Sequence, residues 1–343
     1  MEQSPGRRLH FWLGILISLA SLAAIFLFIP PAEILSALRQ ARYDFLLLAA
    51  ISLLAFLLLR AVRWRFLLNR GGRAGQRIPF GRVFHVQNIG YLLMNILPFR
   101  LGDVARAILI GNRPPVSVPQ GLATILVERL LDLLFIIALF PFTLLAVPAL
   151  PGEVRAAVRL LGLLAAAGLL TLMVTANRRE WLRAIAGRIL ERLPRLNSAR
   201  WLARLDELLV GLDSLTRPLD SLVLVLLSVL VWLPIILGYQ WALQAVDLHA
   251  SLLAAAFVVC MAAFGVSAPS SPGQVGVFEA SVIFALAVIL RLPEGQSASF
   301  AFLWHAMNYL VFGLFGAIGI NRSRETLGSV LLTTRNLVAG GTR

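Results

Sequence analysis

The chain has 343 residues, of which 59% are hydrophobic, well above the roughly 45–50% apolar share of soluble domains, so its expected solvent is a lipid bilayer. At about 20 residues per crossing, some seven to nine spans use up this length and leave no room for a soluble catalytic domain. The net charge of +14 is carried by arginine, with no lysine anywhere and one cysteine, Cys260; this excludes a Walker-type phosphate loop, a Schiff base, a lysine base, a disulfide framework and a cysteine-ligated zinc.

Apolar runs at 10–29, 44–68, 121–148, 157–176, 219–246, 251–268, 274–291 and 297–320 lack the alternation of barrel strands. They predict an all-α, polytopic transmembrane helical bundle of about eight spans, a single integral membrane domain over 1–343. The first run resembles a signal peptide, but its length and the Pro30-Pro31 exit favour a retained span. Segment 60–82 carries seven arginines and no acid, and 177–220 carries nine, which places both on the cytoplasmic side of a bacterial-type inner membrane with both termini inside.

Within the N-terminal half, 10–176, the stretch 83–112 is apolar yet broken at Pro98 and Gly102, which predicts a re-entrant hairpin. Segment 177–218 sets Trp181, Leu182, Ile185 and Ile189, then Trp201, Leu202, Leu205, Leu208 and Leu212, among arginines at helical spacing, split at Pro194. Two readings stand: amphipathic helices on the cytoplasmic membrane face, or a helical pair packed on the bundle. The C-terminal half, 219–320, is broken at 268–276 by Ala268-Pro-Ser-Ser-Pro-Gly273, and 321–343 forms a cytoplasmic tail. One interrupted segment in each half is the pattern of an inverted-repeat transporter, although the halves share no strong identity.

Four constellations bear chemistry. In Asn95-Ile-Leu-Pro98-Phe-Arg100-Leu-Gly102-Asp103-Val-Ala-Arg106, Pro98 stops one helix, Gly102 permits a tight or close-approach turn and Asp103 caps a new helix. Arg100 and Arg106 then offer forked donors to a phosphate, or Arg100 pairs with Asp103 at the interface. Glu128, Arg129 and Asp132 lie inside an apolar run, where each bare charge costs roughly 2.5–3.5 kcal/mol, so they must be paired or near a span end. They form either a structural ion cluster or a gate in which Glu128 holds Arg100 or Arg106 until substrate arrives.

The third, Ser271-Pro272-Gly273-Gln274-Val-Gly276-Val-Phe-Glu279, fits a capping box at Ser271, with a helix start that favours anions and glycines that admit a close ligand. Glu279 is either a proton-coupling carboxylate or the partner of an arginine. In the last span, His305 and Asn308 share a face, His305 being a proton relay or a packing residue, and Gly313, Gly316 and Gly319 permit tight helix contact.

Arg63-Trp64-Arg-Phe-Leu-Leu68, Ile89-Gly-Tyr-Leu-Leu-Met-Asn95 through Arg106, Ala123-Thr-Ile-Leu-Val-Glu-Arg-Leu-Leu-Asp132, and Pro269 through Glu279 occur in that order. The set resembles the lysylphosphatidylglycerol synthetase transmembrane-region family, the flippase half of the multiple-peptide-resistance proteins and related stand-alone chains, over about residues 10–320. The resemblance implies lipid translocation and re-entrant segments; with no aminoacyl-transferase domain after the last span, synthesis of aminoacylated lipid is not expected.

The expected function is therefore transport of an anionic or lipid-linked substrate between leaflets, passive or gradient-driven, with no cofactor, no metal and no nucleic-acid partner. Asn95, Arg100, Arg106, Ser271, Gly273 and Gly276 bind substrate in this scheme, while Asp103, Glu128, Arg129, Asp132, Glu279 and His305 couple or gate charge. Two alternatives are a membrane-embedded transferase acting on a lipid-linked donor, and a non-catalytic partner that recruits a lipid-modifying enzyme. The transport scheme requires the breaks near Pro98 and Pro272 to meet inside the bundle.

Overall fold

The structure is a computed structural model that describes residues 31–70, 77–97, 101–112, 114–147, 160, 164, 167–168, 218–267 and 271–323. The expected first span, the amphipathic segment 177–217, Pro98, Arg100, Pro269 and the tail beyond Ser323 lie outside these residues. The helices are α1 (Pro31–Arg39), α2 (Tyr43–Arg70), α3 (Phe80–Ile96), α4 (Leu101–Gly111), α5 (Val118–Thr143), α6 (Pro218–Ala245), α7 (Leu252–Gly265), α8 (Val277–Ile283) and α9 (Glu294–Ser323). No strand occurs among the described residues, and the fold is an all-helical membrane bundle.

Four described segments are long and apolar enough to cross a bilayer: Tyr43–Arg70, Leu219–Ala245, Pro272–Ile289 and Glu294–Ser323. Their boundaries follow local chemistry. Ser117 caps α5 by accepting the Gln120 N–H at 3.3 Å, while the Gln120 side chain accepts the Ser117 N–H at 3.4 Å and Pro119 occupies the first turn. Ser251 caps α7 by accepting the Ala254 N–H at 3.2 Å.

Helices α2 and α6 run antiparallel along each other. At one end the Arg42 N–H donates to the Ala245 carbonyl at 2.8 Å, and at the other Arg70 reaches Asp220 at 2.8 Å. Aromatic contacts join α6 to α9, where the Tyr239 and Trp304 rings lie 4.5 Å apart, and the largest apolar core fills the space among α6, α7, α8 and α9.

The interrupted stretch 83–112 forms α3 and α4, folded back on each other as a hairpin. Gly102 is helical rather than left-handed, and its role is close approach: a Cβ there would strike the Gly90 carbonyl and Met94. A Cβ on Gly90 would strike the Arg106 side chain and lie 3.0 Å from the Gly102 carbonyl. Gly90→Ala is therefore expected to push α4 away and lower stability by about 1–3 kcal/mol, read as a lower thermal midpoint in detergent. Of the three glycines expected to pack α9, Gly316 abuts Leu92 and the Asn88 carbonyl and Gly319 abuts the His85 carbonyl, both on α3, whereas Gly313 has open space.

The sequence Ser271-Pro-Gly-Gln274 matches the Ser117-Val-Pro-Gln120 cap but does not build one. Gly273 and Gln274 take φ of 71° and 63°, which ends the Pro272–Gln274 turn after three residues. The helix starts later, at Gly276 (φ 85°), so the expected cap at Ser271 is replaced by α8, which runs on into a π-helical turn, Phe284–Ile289.

Candidate functional site

Two polar assemblies face one cavity. The first is an ion network between α2, α4 and α5. Arg60 and Arg63, one turn apart on α2, donate to opposite oxygens of Asp132, each at 2.6 Å. Arg106 of α4 donates to Glu128 Oε2 at 2.9 Å, and Arg129 grips Asp103 at 2.8 and 3.1 Å. Arg60 Nε lies 2.7 Å from Glu128 Oε1, off the line of its N–H bond. Arg63, Arg106 and Glu128 are fully buried, and Arg60 is 4% exposed.

The network is held by neutral groups as well. The Arg106 guanidinium lies 4.2 Å over the Trp64 ring, whose indole N–H donates to Thr124 Oγ1 at 3.1 Å, and Arg63 donates to Ser228 of α6 at 3.2 Å. Thr124→Val keeps the shape but leaves the buried indole N–H without its acceptor, an expected loss of about 1–3 kcal/mol measurable by thermal unfolding.

Counted among the described residues, four guanidinium groups (Arg60, Arg63, Arg106, Arg129) face three carboxylates (Asp103, Glu128, Asp132), leaving one formal positive charge. A buried uncompensated charge is costly, so the network favours the approach of an anion.

The second assembly joins α8 and α9. Glu279 Oε2 accepts the Gly276 N–H at 2.7 Å, and Glu279 Oε1 lies in hydrogen-bond contact with His305 Nδ1. His305 Nε2 donates to the Gly273 carbonyl at 3.0 Å. Asn308 donates to the Trp304 carbonyl at 2.7 Å.

Between the assemblies lies a cavity of about 270 Å³, lined by Arg60 on one side and by Gly273, Gln274, His305, Asn308 and Tyr309 on another, with Asn95 from the end of α3. Its remaining wall is largely aromatic and aliphatic, including Phe56, Trp232 and Trp304. A Cβ on Gly273 would lie 3.1 Å from the Asn95 carbonyl, so the end of α3 next to the first break and the turn of the second meet in the bundle interior.

Several expectations change. Arg106 is committed to Glu128 and to the Trp64 face and does not line the cavity; among the described residues Arg60 is the guanidinium that does. Asp103 is the third residue of α4 rather than its cap, and its carboxylate is engaged by Arg129 and Arg106. The i,i+3 spacing of Arg129 and Asp132 on α5 predicts their pairing, whereas the main partner of Arg129 is Asp103, with Asp132 3.8 Å away. Glu279 bonds to a histidine and a backbone N–H and to no arginine among the described residues, because the turn at Gly273 aims α8 at α9. That backbone N–H belongs to Gly276, so the protein's own carboxylate takes the donor expected to meet a substrate anion.

Arg60 and Arg63 enter here as members of the network. Three positive charges in the last third of the apolar run 44–68, Arg60, Arg63 and Arg65, were the signal, since each needs a partner at membrane depth. They also correct the orientation argument, because two of the seven arginines in 60–82 are interior ion-pair partners rather than loop charges.

The model of the lysylphosphatidylglycerol synthase transmembrane region matches residues 11–316. The chain belongs to this family. Two UPF0104 membrane proteins of Methanothermobacter thermautotrophicus are 28% and 24% identical to it, covering 78% and 88% of this chain and 82% and 90% of theirs. Glycosyltransferase AglD of Haloferax volcanii is 32% identical over 147 residues, 43% of this chain, and the match spans only 23% of that relative's length. No solved structure matches. The motifs that carry the sequence resemblance contribute Arg63, Asp103, Arg106, Glu128, Arg129 and Asp132 to the ion network, and Gly273 and Glu279 to the turn and its carboxylate.

Proposed function

We propose that the protein carries the head group of an anionic or lipid-linked substrate across the bilayer through the cavity between Arg60 and the Gly273 turn, with lipid tails left in the membrane. The observation that carries this reading is the position of Arg60, at once a member of a buried network with surplus positive charge and part of the cavity wall. A phosphate entering the cavity competes with Glu128 and Asp132 for the Arg60 guanidinium, so substrate binding loosens the bridge between α2 and α5. The same pair re-forms when the substrate leaves, which makes the carboxylates reversible counter-ions.

Size and charge narrow the substrate. Among the described residues the cavity measures about 270 Å³, room for a polar head group. Among the described residues, the ionisable groups on the wall are Arg60, His305 and Tyr309. Arg60 there offers a phosphate or an anionic phosphodiester its counter-charge.

Reconstitution into liposomes with fluorescent phosphatidylglycerol, and with other labelled anionic lipids, tests the reading by quenching of the outer leaflet. Transfer between leaflets above protein-free vesicles is expected, reduced by Arg60→Gln; absence of transfer across all the anionic lipids overturns it. The likeness to a protein named a glycosyltransferase supports a second reading, a transferase acting on a lipid-linked donor. Product formation by the purified protein from such a donor favours that reading.

A further inference from the structure

We infer that His305 and Glu279 form the binding site of a coupling proton, whose occupancy sets the position of the Gly273 turn in the cavity wall. The inference rests on the transport reading and supplies its driving ion. Its warrant is donor and acceptor arithmetic. The Gly273 carbonyl only accepts, so His305 Nε2 must carry a hydrogen. Glu279 Oε2 already accepts the Gly276 N–H, and Oε1 faces His305 Nδ1. A hydrogen must lie between Nδ1 and Oε1 for that contact to be attractive, whether it is assigned to the imidazolium or to the carboxylic acid. The dyad as built therefore holds one proton more than a neutral imidazole beside a carboxylate.

Loss of that proton to water has a defined consequence. A neutral imidazole has a single N–H and two acceptors to satisfy. The ionised carboxylate is the stronger acceptor, so the N–H stays on Nδ1 toward Glu279. The bare Nε2 then faces the Gly273 carbonyl lone pairs at 3.0 Å, and attraction becomes repulsion. Gly273 and Gln274 form the turn of positive φ that lines the cavity and abuts Asn95. Proton release thus pushes on the cavity wall itself, and proton binding draws it back.

The surroundings suit a site that exchanges protons. His305 is 11% exposed at its side chain and borders the cavity, whereas Glu279 behind it is 3% exposed. Among the described residues, the titratable and charged groups that face the dyad are Tyr309, whose ring lies 4.9 Å from the imidazole on α9, and Arg60 across the cavity on α2. From α8 itself comes Phe278, 4.8 Å from the imidazole, and α3 contributes the neutral Asn95.

Glu279→Gln tests this without dismantling the site. The amide oxygen still accepts from Gly276 and the amide N–H donates to a neutral Nδ1, so His305 keeps its bond to Gly273 with no added proton. In proteoliposomes carrying labelled anionic lipid, an imposed pH gradient is expected to change the initial transfer rate of the native chain by about tenfold, the scale of one reversed hydrogen bond. The Glu279→Gln chain is expected to ignore the gradient. Infrared difference spectra between acid and alkaline buffer, in the absence of any lipid substrate, should show a carboxyl or imidazole band that disappears in Glu279→Gln and in His305→Gln. Gradient-independent transfer by the native chain together with no such band overturns the proton site and leaves the transport reading standing. A titrating band without lipid transfer supports the proton site and removes the transport reading.

Discussion

Glu128→Ala is expected to be the most damaging single substitution in the described bundle. The carboxylate is fully buried, pairs with Arg106 at 2.9 Å and lies 2.7 Å from Arg60. Among the described residues, removing it turns a surplus of one positive charge into two, beside the fully buried Arg63 and Arg106. Deleting one member of a buried pair typically costs about 3–5 kcal/mol, because the remaining charge keeps its desolvation penalty and loses its compensation. The expected result is poor recovery of folded protein from membranes and a lowered thermal midpoint. Glu128→Gln retains volume and an acceptor but not the charge, and should fall between the native chain and Glu128→Ala. Unchanged stability in Glu128→Ala would mean that the network is not the tie between α2, α4 and α5.

The second large effect is expected at Gly273. Its φ of 71° is one that side chains bearing a Cβ adopt only with strain, and an added Cβ would strike the Tyr309 hydroxyl and crowd the Asn95 carbonyl. Gly273→Ala should cost about 1–3 kcal/mol and displace the turn from His305. If the turn forms the moving wall, lipid transfer should fall far more than stability does, a split read by comparing the transfer rate with the thermal midpoint in the same preparation. Gly313→Ala, on the same α9 face series but with open space around it, is the control that should leave both unchanged.

Helix positions were legible because hydropathy and Pro or Gly punctuation act locally: the apolar runs 44–68 and 219–246 became Tyr43–Arg70 and Pro218–Ala245. The pairing of Glu128 with Arg106 was also within reach, since charges in an apolar run must find partners. What escaped was the full membership of the network. Arg60 and Arg63 sit some seventy residues from Asp132, and sequence alone does not say which helices touch. The false cap at Ser271 has a different cause. The motif Ser-x-x-Gln specifies side-chain types, whereas the outcome depended on the freedom of Gly273 to take a backbone angle that stops a helix. The family resemblance was read from ordered motifs and stands, but their roles had to be redrawn residue by residue.

The glycine seam between α9 and α3 constrains how the molecule can change shape. Gly316 and Gly319 hold the backbone of α9 against the Leu92 side chain and the Asn88 and His85 carbonyls of α3, a contact too close to slide without steric collision. The helix bearing His305 and the helix bearing Asn95 should therefore swing as one rigid lever, against which the short arm, the glycine hinges at 273 and 276 with the α8 stub, can move.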